Sequence, residues 1–250
     1  MKIKLILLFV LFYLVSLLVT LPADKVVRFI PDNTGIKVAA VSGSLWDGQA
    51  AQLTYKKQFQ LQQLDWKMDW LALARLQLKL DVKFNNGINA MSGKGFVMLG
   101  FSGISVEDFV VDTSVSELLS YARLPVPAEV SGDLSLIIKN GSQGTPYCRQ
   151  LDGYIVWRDA QIKSDMGSID LDSAHIDLSC DKGQLVADLQ QHSEQLTTTA
   201  NFLLKEKGAY QLRGLLKAGD KLDPAIKDAL SWIGSKNQSG ETVLRFDGRL

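Results

Sequence analysis

His175, Asp177 and Ser179 stand at alternate positions in "SIDLDSAHIDLSCD", and they are the residues in this chain that most resemble a hydrolytic grouping. A serine–histidine–aspartate triad needs groups that converge from separate elements, whereas these three follow one another along a single segment. The segment reads as the solvated face of a strand. Asp165, Asp170, Asp172 and Asp181 lie nearby, yet they lack the loop spacing and turn glycine of a calcium motif. His192, in "QQHSEQ", reads as a loop residue. No nucleophile elbow, zinc-protease signature, phosphate loop or dinucleotide fingerprint occurs anywhere. The expectation is of no catalytic residue, no metal and no cofactor.

Two cysteines remain, Cys148 and Cys180, with none left over. In an oxidising compartment an even pair is most simply a disulfide. Five tryptophans (Trp46, Trp66, Trp70, Trp157 and Trp232) offer either a stacking platform or sheet packing, and their apolar neighbours favour packing. Trp46 sits in "VSGSLWDGQAAQL", framed by Gly43 and Gly48, and "GYIVWRDAQI" from Gly153 through Trp157 echoes it. Both stretches read as sheet corners in which glycine lets the backbone turn and the indole covers the bend.

These residues are carried by a chain of 250, with 46% hydrophobic and 22% charged residues and a formal net charge of zero. That balance argues against a nucleic-acid binder. Nineteen uncharged residues separate Lys4 from Asp24, a run that would rise roughly 28 Å as helix, close to a ~30 Å hydrocarbon core. Its length and the large Leu21 favour a retained anchor over a cleaved signal. The expected division is a cytoplasmic tail 1–4, a transmembrane segment 5–22 and an external domain 23–250.

Beyond the anchor the chain reads as mainly β. In "LQLKLDVKFN" apolar residues from Leu76 to Phe84 alternate with polar ones, the period of a half-buried antiparallel strand. Asn85-Asn86-Gly87, Asn140-Gly141-Ser142, Lys182-Gly183 and Lys207-Gly208 read as turns. The alternation changes phase near Gln62–Gln63 and near Ser173, which predicts a bulge or bend at each. Short helices are expected after Ser114, with Glu117 three residues on and Pro125 beyond the end, and after Asp223-Pro224, closed by Gly234. Another helical turn is expected over residues 24–30. The internal echo suggests two similar β units, 36–125 and 126–250.

A family resemblance rests on the order of short motifs along nearly the whole chain. These are "LPA", "VSGSLWDGQA", "LQQLDWKMDWLAL", "PVPAEVSGDLSL", "YCRQLDGYIVWRDA", "CDKGQLVADL", "GAYQLRGLL" and "FDGRL". In this the sequence resembles the type II secretion system protein N of Gram-negative bacteria, and in fold the AsmA-like β proteins, some of which are linked to lipid transport. The resemblance implies a bitopic inner-membrane protein with a periplasmic β domain. It would be a non-enzymatic accessory of protein secretion whose partners are other subunits of that machinery. It carries no catalytic residue across. Cys148, Cys180 and the segment from Gly43 to Trp46 match position by position, in a structural role, and Gly48, Gly153 and Trp157 complete the structural signature through the echo. The alternative is a lipid-handling envelope protein with an apolar groove.

Overall fold

The computed structural model describes residues 2–29, 31–56, 59–73, 77–88, 90–100, 103–121 and 128–249. Two compact units divide the chain, Met1–Gly87 and Ile88–Leu250. The boundary expected near residue 126 falls instead between two strands that pair with each other in the second unit.

In the first unit, α1 (Lys2–Val19) and α2 (Ala23–Val27) precede β1 (Ile36–Gly43), β2 (Asp47–Tyr55) and β3 (Phe59–Met68); a short α3 (Trp70–Leu73) then leads to β4 (Leu78–Asn85). α2 supplies the helical turn expected after the anchor. The strands pair antiparallel in sequence order. The phase change expected near Gln62–Gln63 is present: Gln63 has φ 44°, between the pairs Gln52↔Gln62 and Ala50↔Leu64. Ala40, at the same level of β1, has φ 51°, so the strands bend together and keep register. Leu76 lies outside the described residues, and Leu78–Asn85 forms the alternating strand. Asn85 closes the expected turn by accepting the Gly87 N–H at 2.9 Å.

The second unit runs β5 (Ser92–Gly100), β6 (Gly103–Ser114), α4 (Val115–Tyr121), β7 (Glu129–Gln143), β8 (Cys148–Ser164), β9 (Gly167–Asp181), β10 (Gln184–His192), β11 (Leu196–Leu204), β12 (Ala209–Ala218), α5 (Pro224–Ile233) and β13 (Thr242–Arg249). Here too each strand pairs antiparallel with its sequence neighbour. Ser114 caps α4 by accepting the Glu117 N–H at 3.2 Å, while the Glu117 carboxylate takes the Thr113 hydroxyl. Pro125 lies outside the described residues. The bulge expected near Ser173 falls at Asp172, φ 58°, where the register with β8 shifts. Lys182 and Gly183, both with positive φ, make the β9–β10 hairpin, as a two-residue primed turn requires.

Two expectations need correction. Asn140-Gly141-Ser142 is not a turn but part of β7, with Gly141 paired to Val106 and Leu151. The strand simply continues there, because both neighbours supply backbone partners on either side. Gly234 does follow α5, but with an extended φ of −169° rather than a left-handed cap. Its need for glycine is spatial: a Cβ would stand 2.0 Å from the Val243 carbonyl oxygen.

The core of this unit lies under α5. Asp223 caps that helix through the Ala225 N–H at 2.8 Å, and Pro224 opens it. Ile226 and Leu230 pack with Leu171, Leu196, Leu216, Leu222 and Leu244, and Trp157 borders them.

Candidate functional site

His175 is exposed on β9, its Nε2 3.0 Å from the Asp177 carboxylate and its ring stacked on Tyr154 at 5.2 Å. All these groups lie on one open sheet face, with Val156 and Gln190 directly across from His175. Nothing there gathers a nucleophile, a base and an oxyanion donor around one point. Among the described residues no three His, Cys, Asp or Glu side chains are grouped to hold a metal.

The signature residues take distinct places. Gly43 has φ +86°, and a Cβ on it would stand 2.6 Å from the Asp47 carbonyl oxygen, so the β1–β2 turn requires glycine. The Ser44 hydroxyl orders that turn by accepting the N–H groups of Trp46 and Asp47. Trp46 is half-buried at the turn, its ring 5.8 Å from that of Trp70. The indole that lies over Gly48 is that of Trp66, 2.5 Å from where a Cβ would stand, and its N–H donates to the Leu45 carbonyl at 3.0 Å.

Trp157 repeats this arrangement in the second unit. Its Nε1 stands 2.6 Å from the would-be Cβ of Gly132 and donates to the Ser131 carbonyl at 3.1 Å. Gly153 sits in mid-strand between Ile138 and Leu178, and the bend comes after Trp157, at Asp159 with φ 50°. Trp232, near the end of α5, is 82% exposed.

Cys148 and Cys180 are joined as a disulfide between β8 and β9. The N–H groups of Tyr147 and Cys148 donate to the Gly183 carbonyl, tying the disulfide to the β9–β10 hairpin.

Register sorts the second unit's sheet into one polar and one apolar face. On the apolar face one row crosses the strands as Val111, Leu136, Ile155, Ile176, Leu189, Ala200, Gly214 and Leu244. The next runs Phe109, Ile138, Gly153, Leu178, Ala187, Phe202, Leu212 and Phe246. Neither contains a charge. α5 fills the margin of this face along Trp157, Leu216 and Leu244, while Leu136, Ile155, Ile176 and Leu178 stay partly exposed. Gln191 lies in the filled margin, its Nε2 bonded to the Leu171 and Leu196 carbonyls. The rows were hidden in the sequence because they join residues from eight strands.

In the first unit a shallow depression of about 490 Å³ has Asp47, Asp65, Lys67 and Lys83 on its walls, with signs alternating across the strands.

Comparison with known proteins agrees with this picture. A model of the family described as "Type II secretion system (T2SS), protein N" matches residues 34–245. The chain is similar to the type II secretion system protein N of Aeromonas hydrophila, 32% identical over 97% of this chain and 96% of the relative. It is also similar to the Vibrio cholerae serotype O1 protein of that name, 29% identical over 94% of this chain and 93% of the relative. No solved structure matches the chain.

Proposed function

The chain belongs to the type II secretion system protein N family, and on that premise we propose that it is a non-enzymatic accessory subunit of a type II secretion system. It works through protein–protein contacts of its β units during export of folded periplasmic proteins across the outer membrane. The family match from residue 34 to 245, which extends over both units, carries this reading.

The same proposal seats α1 in the inner membrane, with its N-terminus in the cytoplasm and residues 23–250 in the periplasm. Among the described residues no helix is long and apolar enough to cross a membrane. The uncharged stretch Leu5–Val19 of α1 rises only about 22 Å, against a core of ~30 Å. What supports an anchor is that its large side chains face outward, Leu5 at 69% and Phe12 at 72% exposure, and that uncharged residues continue to Ala23. Local bilayer thinning accommodates such a mismatch at modest cost. A periplasmic location also suits the disulfide.

Crosslinking in intact membranes, followed by identification of captured proteins, tests the proposal. Recovery of inner-membrane secretion subunits is expected, together with reduced exoprotein release on deletion. Normal release after deletion sinks the reading. The uncovered apolar rows favour a second reading, in which this face holds lipid acyl chains; lipid recovered without any secretion subunit would select it.

A further inference from the structure

The last strand of the second unit has a largely open side. β13 pairs with β12 along its whole length. On its other side, among the described residues of this unit, only the first two residues are engaged. Thr242 bridges to Lys236, and the Val243 N–H donates to the Ser235 carbonyl at 2.9 Å. Backbone groups of an antiparallel strand alternate between its two sides. Since Val243 points outward, so do Arg245, Asp247 and Arg249. From Leu244 to Arg249 the strand therefore presents an unpaired row of donors and acceptors, the template on which another strand adds.

Charge indicates which strand. Arg245 stands directly opposite Arg213 of β12, and like charges in that relation are unfavourable. Asp247 neutralises Arg213 with both carboxylate oxygens, at 2.8 and 3.0 Å. Arg245 has no ion pair among the described residues.

We propose that this edge pairs antiparallel with the same edge of a second copy of the chain, about a two-fold axis at Phe246. In that register Arg245 faces the partner subunit's Asp247 and Asp247 faces the partner subunit's Arg245. These are outward-pointing pairs, and each exchanges two backbone hydrogen bonds. Phe246 meets the partner subunit's Phe246 in a non-hydrogen-bonded pair, with Cα atoms about 4.5 Å apart. Leu244 lies across from the partner subunit's Gly248, so the apolar rows continue from one subunit into the other. Competing registers are poorer. Centring on Asp247 sets that residue against itself and Arg245 against Arg249; centring on Arg245 sets two arginines directly opposite each other. The contact is isologous and closes, as a two-fold dimer requires.

Thiol crosslinking of the full chain in detergent micelles tests this. The native cysteines are paired and no free thiol exists, so Phe246→Cys introduces a single reactive one. Oxidation is expected to give a covalent dimer on non-reducing gels, because the two Cβ atoms fall within disulfide reach. Arg249→Cys, whose copies stand roughly 20 Å apart in this register, should stay monomeric. In the Phe246→Cys background, Arg245→Asp sets like charges against each other and lowers the crosslinked yield about tenfold or more. Adding Asp247→Arg restores it by swapping the pair. Circular dichroism of Arg245→Asp should match the parent, since Asp247 still holds Arg213. The proposal is overturned if Arg249→Cys crosslinks as well as Phe246→Cys, if the double reversal fails to rescue, or if in membranes Phe246→Cys captures another secretion subunit instead of a second copy.

Discussion

Trp66 and Trp157 act alike at the scale of single residues. Each ring lies against a glycine that leaves room for it, and each indole N–H satisfies a carbonyl next to a bend. Gly48→Ala should destabilise the first unit by about 1–3 kcal/mol, as overpacking does, measured by urea unfolding. Trp66→Ala should be more damaging than Trp46→Ala, because Trp66 lies against Gly48 and donates to the Leu45 carbonyl, whereas Trp46 packs at the β1–β2 turn. Asp247 gives a pH-dependent prediction. The hydrogen bond from Arg213, aided by its charge, lowers the Asp247 carboxyl from its usual 3.8. With the folded value below the unfolded one, the folded state binds fewer protons. This contribution is therefore present above about pH 4 and lost as pH falls through the lowered value. Asp247→Asn should shallow the acid limb of the stability curve between pH 2 and 5, followed by urea midpoint, and leave the slope near neutrality unchanged.

α5 owes its start to two adjacent residues and its position to a few more. Replacing Asp223 with alanine should cost about 1 kcal/mol through loss of the cap. Leu230→Ala should cost about 2–5 kcal/mol by opening a cavity under the helix; denaturant titration would separate the two. The start of α5 was approachable from the sequence, since Asp-Pro before an amphipathic run is a local signal. Strands were legible for the same reason, and so were phase changes such as that between Leu61 and Leu64. Similar phase changes at Asp108 and Asp159 also carry a readable signal, an aspartate tolerant of positive φ between apolar residues of opposite parity. Those segments are short enough that the alternation is hard to see in isolation. Asn140-Gly141-Ser142 misleads because turn-like composition does not reveal that flanking strands pair through it. Which tryptophan covers which glycine depends on cross-strand register, and that is not a local property.

For the molecule as a whole, removing the disulfide should lower stability by about 3–4 kcal/mol in the chain-entropy view of a 32-residue separation. Scanning calorimetry of Cys148→Ser/Cys180→Ser measures this, and thiol labelling of the unmodified protein should find neither cysteine reactive before reduction. The pairing order within each unit has a further, kinetic consequence. Because within the second unit each strand hydrogen-bonds to the one just before it in the chain, strand pairing there does not wait for a distant segment. Low sequence separation between contacting residues favours fast formation, with hairpins closing in microseconds. The second unit can therefore zip up progressively from its N-terminal side while the remainder is still being delivered, and β13 is the strand that completes it. An edge that forms last is presented only by a second unit whose other strands have already paired.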